Sequence, residues 1–104
     1  NNASPLDTST CATNGNWSGA GGIQAGSITP AGSNELFVAG VSSDQAGTIS
    51  IDSGFTIIDN PGVDYEGWYS AIAYKIKSNA TAENPKFTTT SGNPTGRCNL
   101  SAWK

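Results

Sequence analysis

Histidine is absent from all 104 residues, and with it goes the general base of Ser-His-Asp and Cys-His nucleophilic chemistry. The closest carboxylates, Asp64 and Glu66, lie two apart in one loop. Paired-carboxylate hydrolysis needs its two groups on opposite sides of a glycosidic bond, so these read better as solvated loop side chains. Asp44, Asp52, Asp59 and Asp64 fall in turns, where they offer hard oxygen ligands of the kind calcium takes, but with no EF-hand spacing. A structural calcium is the only cofactor this leaves open. Nucleotide-binding and nucleophile-elbow patterns are missing. The basic residues are Lys75, Lys77, Lys86, Arg97 and Lys104, and the net charge is −3. No positive stripe exists to draw a phosphate backbone, so nucleic acid is excluded as a partner. The expectation is a domain that binds and does not catalyse.

The aromatic residues carry that expectation. Tyr65, Trp68 and Tyr69 are interleaved with Asn60, Asp64 and Glu66 in a Pro-Gly and Glu-Gly loop, and Trp17 sits in Asn14-Gly15-Asn16-Trp17-Ser18-Gly19. Flat rings cover the apolar faces of pyranose sugars while carboxylates and amides take the hydroxyls, and rings lose little side-chain entropy on binding. The candidate carbohydrate-binding surface is therefore Trp17, Tyr65, Trp68 and Tyr69, with polar help from Asn16, Asp64 and Glu66. Alternation puts Trp68 and Tyr69 on opposite faces. If both are in the strand at least one is core, and Trp68 is the better candidate for it, since Ile72, Tyr74 and Ile76 share its side; Tyr69 is then outward with Lys75 and Lys77. Trp103, outward beside Arg97 and Asn99, is the next candidate. Cys11 and Cys98 are expected to form a disulfide closing most of the chain, worth roughly 4 kcal/mol in the chain-entropy model; the alternative is two separate thiols. A disulfide favours an oxidising compartment, hence secretion.

The elements that hold these residues read as strands. Asn34 to Val41 is apolar on both faces, with Leu36, Val38 and Gly40 on one and Phe37, Ala39 and Val41 on the other, which suits a central strand. Thr48 to Asp52 and Gly54 to Ile58 flank Asp52-Ser53-Gly54 as an expected hairpin. Trp68 to Lys77 is the longest run. Lys86 to Thr90 and Arg97 to Trp103 follow, with Cys98, Leu100 and Ala102 sharing one side of the latter. One or two short strands are expected within residues 12 to 33, and Asn1 to Thr10 reads as a polar arm. No capped helical pattern occurs, and no apolar run is long enough to span a membrane. The fold class is all-β, a two-sheet antiparallel β-sandwich of jelly-roll type, with residues 1–104 as one domain.

The stretches from Ile28 to Ala39, Gly54-Phe55-Thr56 and Ala71 to Lys75 resemble β-sandwich domains of secreted bacterial proteins. Among these the chain is similar to carbohydrate-binding modules of glycoside hydrolases, in particular the small family numbered 81. That resemblance implies non-catalytic binding of β-glucans such as cellulose chains, cello-oligosaccharides or xyloglucan, on behalf of an attached catalytic domain. The alternative from the residues themselves is an extracellular adhesion, filament or decoration subunit that assembles through strand or surface contacts.

Overall fold

The computed structural model describes residues 4–14, 22–44, 47–59, 69–90 and 95–104. Eight strands follow one another: β1 (Leu6–Asn14), β2 (Ile23–Gln24), β3 (Glu35–Ser43), β4 (Ile49–Ile51), β5 (Thr56–Asp59), β6 (Tyr69–Lys77), β7 (Lys86–Thr89) and β8 (Gly96–Trp103). They form a five-stranded sheet ordered β1-β8-β3-β6-β5 and a three-stranded sheet ordered β2-β7-β4, with every pairing antiparallel. The β1–β8, β2–β7 and β3–β6 pairs are those of one long hairpin folded over on itself. The β8–β3 and β7–β4 pairs arise where it wraps round, so the expected jelly roll is the observed architecture.

Period-two alternation drives each central strand. In β3, Glu35, Phe37, Ala39, Val41 and Ser43 are buried while the residues between them are not. In β8, Cys98, Leu100 and Ala102 are buried, as the sequence reading has them. Phe87, Ile23 and Ile49 cover these from the three-stranded sheet. Phe37 meets Phe55 edge to face, with ring centroids 6.5 Å apart, an arrangement that favours the ring quadrupoles.

Several expectations are corrected. In β6 the faces are reversed: Tyr69, Ala71 and Ala73 are buried, whereas Ile72 and Ile76 are 44% and 70% exposed. The cause is register. Ala71, Ala73 and Lys75 stand opposite Val41, Ala39 and Phe37, so burying those β3 residues carries the alanines inward with them. Small alanines let the second sheet approach, which bulkier Ile72, Tyr74 and Ile76 would not. Tyr69 is thus a core residue and leaves the proposed sugar-binding surface. Strands β4 and β5 do not form a hairpin: β4 pairs with β7 and β5 with β6. Their connection crosses between sheets, held by Asp52, whose N–H donates to Lys86 O and whose Oδ1 accepts from Lys86 N. Residues 6–10 of the supposed polar arm are instead the start of β1, an edge strand of nine residues. Of the short strands expected early, β2 is one, and Ile28 forms an isolated bridge with Glu83.

Cys98 is buried and Cys11 exposed, and the two are not joined to each other. Cys11 stands opposite Asn99, and Cys98 opposite Ala12, one step along the paired strands. Successive residues point to opposite faces of a sheet, so the two sulfurs face away from each other and the expected disulfide does not form.

Candidate functional site

The five-stranded sheet turns one face to the core and leaves the other uncovered by any described residue. Register builds that outer face in rows running across the strands. Leu6, Trp103, Leu36 and Ile76 stand in one row, each the direct neighbour of the next. Ser9, Ser101, Val38, Tyr74 and Thr56 form the second, and Cys11, Asn99, Gly40 and Ile72 lie in the third. The first row is apolar from end to end, and all four of its side chains are at least a third exposed. Together with Ile58 and Ile72, these are the exposed large apolar side chains of the described residues. All but Ile58, which lies at the irregularity of β5, belong to these rows. A contiguous patch of this kind marks a surface that meets something.

Most polar groups in these rows are neutral. Asn99, Ser101, Ser9 and Tyr74 stand in the second and third rows, and Arg97, opposite Ser42, brings a formal charge to the same face. Trp103 is a fixed plate, because its indole Nε1–H donates to Ser101 Oγ at 2.8 Å and that hydroxyl donates to Val38 O. Gly40 leaves a dip in the middle. A Cβ there would come within 3.0 Å of Asn99 Oδ1. Beside it lies a shallow hollow of about 350 Å³ floored by Gly40 and walled by Cys11, Ile72, Arg97 and Asn99. A second hollow of about 540 Å³ runs past Leu6, Ser9, Val38 and Trp103. Both open broadly to solvent, so they are dimples in a contact surface and not enclosed ligand pockets.

The ionic groups lie elsewhere. Lys75 and Lys77 come from the inner side of β6, beyond the end of the core. Both donate to Glu83 Oε1, Lys75 at 2.8 Å. Lys75 also donates to Ser53 O and lies 5.6 Å from the centre of the Phe55 ring. Burial pushes the Glu83 carboxyl up, but the two lysine hydrogen bonds outweigh it and hold it below the ordinary glutamate value. At the other rim, Lys104 Nζ and the Ala31 N–H donate to Asp7, and these bonds lower its carboxyl. The same contact raises the Lys104 ammonium. These clusters clamp loops to strands. Asp44 and Asp52 likewise accept backbone N–H groups, from Thr95 and Lys86. Among the described residues, no three His, Cys, Asp or Glu side chains are grouped to hold a metal.

Of the expected sugar-binding residues, Asn16, Trp17, Asp64, Tyr65, Glu66 and Trp68 lie outside the described residues. Trp103 is outward as expected. The sequence reading missed the partners that make Trp103 part of a surface. Leu6 lay in a supposed arm and Ile76 in a supposed core, and only the register of β1, β8, β3 and β6 sets them side by side.

No protein-family model matches the chain, and no curated protein matches it. Its structure is similar to one in "Structure of the tripod (BppUct-A-L) from the baseplate of bacteriophage Tuc2009", with a TM-score of 0.56 at 14% sequence identity. The likeness covers 95% of this chain and 64% of that one, so this chain spans under two thirds of its neighbour's length. At that identity the likeness is one of fold.

Proposed function

We propose that this chain is a non-catalytic subunit of an extracellular assembly, of adhesion or decoration type, that docks on a neighbouring protein through the outer face of its five-stranded sheet. The observation that carries the reading is the exposed row Leu6–Trp103–Leu36–Ile76. Four strands of eight or nine residues, about 4.8 Å apart and some 30 Å long, with the four-residue β5 beside them, present roughly 600 Å², about three quarters of the 800 Å² or so that each partner contributes to a stable protein interface. An apolar centre with neutral hydroxyls and amides around it also has the composition of such interfaces. The fold likeness to a phage baseplate tripod supports the same reading, since that neighbour is itself a piece of a larger particle.

Glucan binding is the second reading. Trp103 beside Asn99 and Ser101 favours it, as a fixed ring next to hydroxyl-binding groups. Sedimentation equilibrium and titration calorimetry with cellohexaose separate the two. The assembly reading expects a weight-average mass that rises with concentration, falls back in Leu36→Lys/Ile76→Lys, and shows no heat with the sugar. A chain that stays monomeric and releases heat on binding cellohexaose, with the heat lost in Trp103→Ala, would transfer the face to the glucan reading.

A further inference from the structure

The two sheets end in four edge strands, and three of them are blunted. Strand β2 has two residues and β4 three. Strand β5 has four, with an irregularity between Ile57 and Asp59. Short length and irregularity are how native sheets keep edges from pairing with other chains. Strand β1 has none of these defences over most of its length. It runs nine residues and hydrogen-bonds β8 on one side, and among the described residues no strand pairs with the other side. From Thr8 to Asn14 it contains neither proline nor charge, and its one irregularity, between Leu6 and Thr8, is at its start. Its single carboxylate, Asp7, is taken up by Lys104 and Ala31 N. The segment that passes nearest, 25–31, reaches β1 through side chains: Thr10 Oγ1 donates to Ala25 O, and Asp7 Oδ2 accepts from Ala31. It bridges the two layers there, and among the described residues no backbone group pairs with the side of β1 away from β8.

We infer that this edge is a second contact, and that its partner is the same strand of a second copy, paired antiparallel so that two five-stranded sheets become one continuous sheet. The inference deepens the assembly reading and rests on it, but it uses a different surface. Chemistry selects the occupant. A charged edge would call for a strand of opposite charge, whereas this one offers only hydroxyls, small side chains and backbone N–H and C=O groups. Its own sequence meets that need. Antiparallel pairing about Thr10 sets Thr10 against Thr10, Ser9 against Cys11 and Thr8 against Ala12, with no charge facing charge. Cross-strand threonine pairs of this kind are favourable. Such a contact is isologous and closes as a dimer. The apolar outer faces of both copies remain free beside it for the docking described above.

Sedimentation velocity on three proteins tests the edge separately from the face, with thermal melts confirming that each variant folds. In Leu36→Lys/Ile76→Lys the face is blocked, and a dimer of twice the chain mass should remain that dissociates on dilution. Ser9 also stands on the outer face, so Ser9→Lys is added to that face-blocked variant, where it places a lysine on each side of the two-fold axis, and like-charge repulsion should weaken this dimer by at least about tenfold. In the dimer, amide exchange within Thr8–Ala12 should slow at high concentration at alternate residues. If Ser9→Lys abolishes association while the face variant behaves as wild type, the edge stands and the face reading falls. A dimer indifferent to Ser9→Lys, or a face variant that is monomeric at every concentration, would overturn the inference.

Discussion

Glu83 is the residue on which the ionic rim turns. Its side chain is 8% exposed and takes both lysines that β6 sends past the end of the core. Removing one partner from a buried ionic cluster strands the others. Because Lys75 is a quarter exposed, water recovers part of the loss, and Glu83→Ala should lower unfolding stability by about 2 kcal/mol in urea denaturation. The pH dependence follows from the same contacts. The folded carboxyl sits below its ordinary value of 4.5, so its contribution is complete above that pH and is lost as pH falls through the folded value. Wild type should therefore lose stability below about pH 4.5, and Glu83→Gln should lose less of it over that interval. The thiols give a second check at this scale. A thiol reagent should label one cysteine, Cys11, in the native protein and both once it is denatured. Finding no reactive thiol in denaturant would restore the disulfide.

At the scale of elements, strands were legible where one face was plainly apolar and the other not. β8 is the example: Cys98, Leu100 and Ala102 alternate with Arg97, Asn99 and Ser101, and the buried set is the one alternation picks. β6 defeats the same reasoning because both its faces are apolar, and which one is buried depends on β3, far away in the chain. A turn signal such as Asp52-Ser53-Gly54 likewise says that the chain reverses, not whether the next strand joins the same sheet. Ser53 and Gly54 do take positive φ there, so the turn itself was correctly read. Strand β1 was hidden because hydroxyl-rich sequences satisfy a sheet edge as well as they satisfy a loop. The start of β2 shows how tightly the layers are set. Gly22 has φ +62°, and a Cβ on it would lie 2.5 Å from Phe87 O in β7. Gly22→Ala should therefore cost about 1 to 3 kcal/mol, readable as a lower midpoint in urea, whereas Gly54→Ala, with open space around it, should cost less.

For the whole molecule, a jelly roll with five strands against three has more sheet than it can cover. The three-stranded sheet shields the inner side of β3, β6 and β8, and the outer side is left with Leu6, Leu36, Ile72, Ile76 and Trp103 in water. Leaving that area exposed is unfavourable in an isolated domain, and a neighbour seated on it would remove that cost. The most direct measurement is the concentration dependence of backbone amide shifts in nuclear magnetic resonance spectra of the intact chain. Raising concentration should move Leu36, Val38, Ile72, Ile76, Ser101 and Trp103 on the outer face, while Ile49 and Phe87 of the three-stranded sheet stay in place. Shifts confined to the three-stranded sheet, or spectra unchanged at every concentration, would contradict it.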